Sequence, residues 1–302
     1  MAGTGSAGRT GGAGSAGGAG SADAAGSADP AAGADDATAA VVAERAARAA
    51  GGLLRRLRGT QAARGRPKDG HGVVTDADLR ADALIRDVLA ARFPAHRMVS
   101  EETWDGWREG MFDGPVWVVD PMDGSANFAH DYPYVSVSVA FAVDGVVRAG
   151  AVHAPFLGQT FTAVKGGGAR CNGSRLAVAD TSVLGDTLVG TGFPHRREEL
   201  DAVLERVRRL LLNCRDVRRA GSPALDISLV ATGMLDAHTE SLAPWDVAAA
   251  GLVATEAGAR RGNLLPEPFP LPPDLSGTGV VVAAPGVYDA LWELLAAEGG
   301  AA

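Results

Sequence analysis

The chain has 302 residues, a formal net charge of −8 and 46% hydrophobic residues, enough for one large domain or two modest ones with a substantial core. The acidic balance argues against a nucleic-acid surface, and no stretch reaches the ~20 apolar residues of a membrane span. Cys171 and Cys214 cannot make a disulfide framework and lack metal-type spacing, so a reducing, cytoplasmic setting is expected.

Residues 1–40 form a Gly/Ala/Ser tract with scattered Asp. It has little to bury and lacks the charged start and apolar middle of a secretory signal, so it is expected to be a disordered tail. A single folded unit over 41–302 should follow, divided near residue 185 into an N-terminal α+β half and a C-terminal α/β half. "VVAERAARAAGGLLRRLRG" predicts a helix that kinks at Gly51-Gly52. From Thr75 a second helix places Leu79, Ala83, Ile85, Val88 and Leu89 on one face, capped by Thr75 or Asp76 and closed by Pro94. "MVSEET" reads as a short strand ending in two glutamates. "VWVVD" lacks alternation and reads as a strand covered on both faces.

Two β-rich runs then meet at Asp144-Gly145, a hairpin signal. Beyond 185 come a strand at "DTLVGTGFP", a helix at "RREELDAVLERVRRLLL", a strand edge at "DVRRAG" and an apolar helix at "SPALDISLVATGML". The basic run from Arg206 to Gly221 reads first as a helix with a solvated cationic face, and second as a phosphate- or partner-binding edge. "LDAHTE" predicts a strand, and "PWDVAAAGLVATEAGA" a helix with Pro244 at its start, Asp246 in its first turn and Gly258 at its end. A last strand and helix close the chain. Without a steady βαβ rhythm, stacked α and β layers are expected.

Chemistry concentrates in "WVVDPMDGSANFAHDYPYVSVSVA", Trp117 to Ala140. A strand ending in Asp-Pro-Met-Asp can aim Asp120, Asp123 and the Met122 carbonyl at one point. Hard cations such as Mg²⁺ take such oxygens, with water and substrate phosphate filling the remaining positions. A helix beginning after Asp123 turns the N–H groups of Gly124 and Ser125 toward the same point, suited to phosphate. Metal oxygens beside an anion cradle are what metal-assisted attack on a phosphate ester needs: a lowered water pKa and charge stabilisation at the departing alkoxide. Taken singly the residues are ordinary: Asp120 and Asp123 as turn formers, Asp246 as a first-turn carboxylate, Glu101 and Glu102 as a solvated pair. The six histidines read as structural or incidental.

The residues taken together resemble the inositol monophosphatase family of Mg²⁺-dependent, lithium-sensitive sugar-phosphate phosphatases. "WVVDPMDGSANFAHDYPYVSVSVAF" is similar to the family's first signature and "PWDVAAAGLVATEAGA" to its second. "MVSEET", "VVTDAD", "GGGARCNGSRLAV", "TGFP" and "RRAGSPALDISLVATGMLDA" resemble other family segments, in family order. The resemblance covers residue 41 onward. It implies a mixed α/β (α+β) fold, the layered α-β-α-β-α sandwich of the inositol monophosphatase / fructose-1,6-bisphosphatase type, with the site where the two halves meet.

The same resemblance implies residue roles. Glu101, Asp120 and the Met122 carbonyl bind an activating Mg²⁺; Asp120, Asp123 and Asp246 share a second ion; Glu102 stands near a looser third. Ser125, where the family has threonine, orients and deprotonates the attacking water with Asp78. The Gly124 and Ser125 amides and Lys68 hold the phosphate, while Gly221, Ser222 and Glu240, with Asp123 and Asp246, contact the substrate. The implied activity is hydrolysis of inositol monophosphate or a similar cyclitol or sugar phosphate by a cytoplasmic homodimer without nucleic-acid or membrane partners. Histidinol phosphate, fructose 1,6-bisphosphate and adenosine 3′,5′-bisphosphate are the competing substrates. A non-catalytic metal- or partner-binding descendant is the competing class, and it predicts a missing metal carboxylate; none is missing.

Several positions depart from the family pattern. Ser100 replaces a glycine before Glu101, Ser125 replaces threonine, and Gly72 replaces an aspartate. "ESLAPWD" is one residue shorter than usual between Glu240 and Trp245, and Pro223 sits in "GSPAL". The metal residues are intact; the wall that recognises the alcohol is altered.

Overall fold

The computed structural model describes Met1 and residues 30–67, 73–193 and 200–296. Helix α1 spans Pro30–Leu57 and buries Ala39, Ala43, Ala46, Ala47, Ala50 and Leu54. These positions recur at helical spacing, and small side chains let the helix lie close on its sheet. It starts before the expected tail ends. Residues 30–40 are its first turns, with Ala39 buried and Asp36 paired to Arg148 at 3.0 Å. It also runs unbroken through Gly51-Gly52. The glycine serves packing instead: a Cβ at Gly51 would meet His153 Cδ2 at 2.4 Å.

Helix α2, Asp76–Ala90, is capped by Thr75 and turns Ala77, Asp78, Ala81, Asp82, Ile85 and Leu89 inward. Leu79 and Ala83, expected on that face, are exposed. Two buried aspartates displace the apolar stripe because they have partners inside: Thr75 and Ser125 for Asp78, Ser100 for Asp82.

A two-stranded ladder, β1 (Arg66–Pro67) and β2 (Val73–Val74), precedes α2. Then β3 (Arg97–Ser100), β4 (Pro115–Asp123), β5 (Ser136–Val143), β6 (Val146–Ala154), β7 (Gln159–Val164), β8 (Gly168–Cys171) and β9 (Ser174–Arg175) build a seven-stranded sheet in sequence order. Only the β3–β4 pair is parallel. The β5–β6 hairpin turns at Asp144 and Gly145, both at positive φ (50° and 75°), the backbone of a type I′ turn.

The second sheet has the order β11-β10-β12-β14-β13, from β10 (Leu188–Thr191), β11 (Asp216–Arg218), β12 (Ala237–Glu240), β13 (Arg260–Asn263) and β14 (Val280–Ala283). Strand β10 is parallel to β11 and β12, and the other pairs are antiparallel. Strand β13, "RRGN", was not expected because it carries no apolar pattern.

Helices α5 (Pro223–Val230) and α6 (Pro244–Glu256) fill the space between the sheets. Both are apolar nearly all round, as a helix covered on two sides must be. Helices α1 and α2 cover the outer face of the larger sheet, and α4 (Leu200–Asn213) and α7 (Pro285–Ala296) lie beyond the smaller one. The result is an α-β-α-β-α sandwich. Among the described residues no helix is long and apolar enough to cross a membrane.

Candidate active site

Strand β4 carries the first two carboxylates. Val116 and Val118 face α5 and α6, while Trp117 and Val119 face α1 and α2, so Asp120 continues the face toward α6. In a regular strand Asp123, three residues on, would point the other way. A β-bulge prevents this: Asp120 pairs with Ser138 and Asp123 with Ser136, so three steps on β4 match two on β5. The extra residue brings both carboxylates to one side. Pro121 sits inside the bulge, where a missing N–H costs the ladder nothing. The Met122 side chain packs on the α1 side, leaving its carbonyl with the site, where it lies 3.0 Å from Ser125 Oγ.

Asp246 enters from the first turn of α6. Its Oδ2 accepts from the Ala243 N–H at 2.9 Å, and Ser138 Oγ donates to the Trp245 carbonyl at 2.9 Å, fixing that turn to β5. A Cβ on Gly150 would stand 3.0 Å from Ala249 Cα, so glycine lets α6 sit close on the sheet. Oxygens of Asp120, Asp123 and Asp246 thereby lie within 4.8 Å of one another.

Asp123 Oδ2 accepts from Ser222 Oγ (2.6 Å), the Ala224 N–H (2.9 Å) and Ser136 Oγ (3.2 Å). Burial nonetheless pushes its pKa up to about 7. Asp120 and Asp246 are driven well above the ordinary carboxylate range by burial first, then by their acidic neighbours, Glu101 among them. Buried anions crowded together call for a cation, and an all-oxygen donor set suits a hard divalent ion such as Mg²⁺. Glu101 follows β3 on a short 3₁₀ turn with Glu102. It lies outside the closest group of three oxygens yet is near enough to raise Asp78, Asp120 and Asp246. Glu102 is half-buried on that turn.

Gly124 caps the five-residue helix α3, Ser125–Ala129, at φ 104°. A Cβ there would meet the Tyr134 and Gly221 carbonyls at 3.0 and 3.1 Å, so only glycine fits. No side chain caps the first turn of α3. Ser125 Oγ hydrogen-bonds Asp78 Oδ1, and Asp78 Oδ2 accepts from the Thr75 N–H and Oγ1, each at 2.6 Å. Burial raises the Asp78 pKa against those hydrogen bonds.

Of the alcohol-side candidates, Gly221 and Ser222 adjoin the Asp123 carboxylate through the Ser222 bond. Glu240, at the end of β12, adds to the negative potential at Asp246. Lys68 lies outside the described residues. Sequence reasoning missed Asn127, whose amide donates to the carbonyls of Tyr134 (2.7 Å) and Ala220 (2.9 Å) and ties α3 to the Gly221 turn. It also missed Ser136 and Ser138. Two serines at alternate places in a buried apolar run were the available signal.

The inositol monophosphatase family model matches residues 35–298. This chain belongs to the inositol monophosphatase family. It is 37% identical to the Nus factor SuhB of Escherichia coli over 220 residues, 72% of this chain and 82% of that protein. The inositol monophosphatase of Anabaena superimposes with a TM-score of 0.74 at 31% identity, covering 86% of this chain and 96% of the other. An inositol monophosphatase II from Staphylococcus aureus, solved with inositol monophosphate bound, gives 0.69 at 27% identity, covering 83% and 91%. The family match begins within α1, in keeping with the helix that precedes Ala40.

Proposed function

We propose that this protein is a Mg²⁺-dependent phosphomonoesterase that hydrolyses inositol monophosphate, or a similar cyclitol or sugar phosphate, to the free alcohol and phosphate. The observation that carries the reading is the convergence of Asp120, Asp123 and Asp246 oxygens within 4.8 Å, beside the Ser125–Asp78 hydrogen bond. Glu101, the Met122 carbonyl and the three aspartates would hold two ions, with Glu102 toward a third. Mg²⁺ bound there supplies positive charge against the phosphate and makes water acidic enough to attack near neutral pH. Ser125 orients the attacking water and takes its proton, passing its own to Asp78, the carboxylate it already hydrogen-bonds. The backbone N–H groups of Gly124 and Ser125, with Lys68, hold the phosphate. Gly221, Ser222 and Glu240 contact the hydroxyls of the alcohol. Water attacks in line and no phosphoenzyme forms.

The inositol assignment is supported by "SANFAHDYPYVSVSVA" and by a structural relative solved with inositol monophosphate bound. The shortened "ESLAPWD" segment is where another alcohol would gain entry. The matched relatives named Nus factor SuhB favour a second reading, a protein that serves through a partner; the full carboxylate set speaks for chemistry. The working form is taken to be a cytoplasmic homodimer.

Phosphate release from inositol 1-phosphate, histidinol phosphate, fructose 1,6-bisphosphate and adenosine 3′,5′-bisphosphate tests the proposal. The assay is run with Mg²⁺, with chelator and with Asp123→Asn. Release from inositol 1-phosphate that needs both Mg²⁺ and Asp123 is expected. Release confined to another ester moves the specificity, and no turnover with Mg²⁺ still bound supports the partner-binding reading.

A further inference from the structure

His238 is fully buried in the middle of β12, and the phosphatase chemistry above gives it nothing to do. Its Nδ1 lies 3.7 Å from Asp226 Oδ2 and its Nε2 3.5 Å from Glu240 Oε2. Beyond Asp226 the line continues to Tyr134, whose hydroxyl donates to Asp226 Oδ1 at 2.5 Å. The row Tyr134–Asp226–His238–Glu240 thus runs from the loop after α3, through α5, to the alcohol-side carboxylate. Asp226 is one turn from Ser222, whose hydroxyl holds Asp123. The row therefore starts on the elements that frame the metal site.

The neighbouring strand is cut to fit this arrangement. Gly190 on β10 pairs with His238, and a Cβ there would stand 2.8 Å from His238 Nδ1. Two residues on, a Cβ on Gly192 would reach within 1.7 Å of Glu240 Oε1. Neither glycine has positive φ, so what opposes a side chain is space and not backbone strain: at 190 it would press on the buried His238 ring, and at 192 it would displace the Glu240 carboxylate. The Gly-Thr-Gly run leaves a trench of two side-chain widths, and His238 and Glu240 occupy it.

We infer that His238 is a positioning residue for Glu240, its Nε2–H aiming the carboxylate at the substrate hydroxyls. This rests on the reading of Glu240 as the alcohol contact. Neither ring nitrogen has a hydrogen-bond partner as the side chains stand, and each faces a carboxylate oxygen about half an ångström beyond hydrogen-bond length. Imidazole can keep Nε2–H for Glu240 in two ways: as imidazolium donating to both carboxylates, or neutral while Asp226 carries the proton. In either case one proton stays between Asp226 and His238, and Tyr134 holds the far oxygen of Asp226. Burial raises Asp226 to about 6 against the pull of His238. Besides His238, the charged groups that act on Asp226 are Glu240, Arg219 and Asp123.

Two measurements test the inference. The first compares wild type, His238→Phe and His238→Gln on inositol 1-phosphate and on p-nitrophenyl phosphate, which offers no hydroxyls. His238→Phe should raise KM for inositol 1-phosphate about tenfold, the worth of one well-placed hydrogen bond. Its kcat and its p-nitrophenyl phosphate kinetics should stay near wild type, and Gln, which keeps a donor, should recover most of the loss. Equal losses on both substrates, or none on inositol 1-phosphate, would overturn it. The second is ¹⁵N NMR of the imidazole in wild type and Glu240→Gln, which needs no turnover and so stands apart from any failure of the phosphatase reading. A protonated Nε2 whose resonance shifts on Glu240→Gln supports the inference; a bare, acceptor Nε2 sinks it.

Discussion

Ser125 and Asp78 show what single positions do here. Asp78 is both the N3 carboxylate of the α2 capping box and the acceptor for Ser125 Oγ, so one side chain closes a helix and primes a hydroxyl. Ser125→Ala should lower kcat roughly 10²- to 10⁴-fold, the span of general acid–base contributions, with Mg²⁺ binding nearly unchanged by calorimetry; Ser125→Thr should keep activity. The buried aspartates set a pH dependence. Asp123 titrates at about 7 when folded, above its unfolded value near 3.9. In the metal-free protein the stability it contributes is full below about pH 4 and is lost as pH rises through 7. Mg²⁺ competes with those protons, so its stabilisation should grow from pH 5.5 to pH 8. At a hundred times Kd it adds about 2.7 kcal/mol, roughly 5–10 °C in Tm, and a thermal melt series with and without Mg²⁺ reads this. Asp120, Asp123 and Asp246 were legible because oxygen ligands at a strand end and a helix start have a chemical reason to be there. Asn127 and His238 were not, since the backbone and buried groups they face are brought close only by the fold.

Elements show where packing overruled local preference. Gly51-Gly52 suggested a kink by composition, yet α1 passes straight through because the two glycines meet different surroundings. Ala at 52 meets nothing nearer than Arg56 Nη1 at 3.7 Å, so Gly52→Ala should stabilise by roughly 0.5–1 kcal/mol through helix propensity. Ala at 51 presses on a His153 ring held by Thr160 Oγ1 at 2.8 Å. Gly51→Ala should therefore destabilise by about 1–3 kcal/mol despite the same propensity gain. Urea titrations of the two variants should move in opposite directions. The bulge in β4 is the element-scale feature that matters most for the site. Nothing in "VDPMD" announces it beyond Pro121, and it alone brings Asp120 and Asp123 to one face. The hairpin at Asp144-Gly145 was legible because its turn chemistry is local; β13 was not, because an edge strand of Arg, Gly and Asn has only its neighbour to define it.

On the scale of the whole molecule, the site lies where α5 and α6 are held between two sheets. The larger sheet supplies Asp120 and Asp123, and α6 supplies Asp246. From α5 and the residue before it come the bonds that clasp Asp123. The layering was readable from the order of elements and the family resemblance. The true start of the first helix was not, because Ala-rich sequence reads as tail until Asp36 is seen against Arg148. Deleting residues 1–29 should leave Tm and activity unchanged. Deleting 1–40 removes Asp36 and buried Ala39 and should cost roughly 1–3 kcal/mol, seen as a lower Tm with no change in KM. The measurement closest to the centre is phosphate release from inositol 1-phosphate as Mg²⁺ is titrated, in wild type and Asp123→Asn side by side. Saturable, chelator-sensitive release in wild type and a loss beyond about 100-fold in the variant is the expected result. Release that continues in chelator, or that survives Asp123→Asn, would contradict the assignment of this carboxylate cluster as a metal-dependent phosphatase centre.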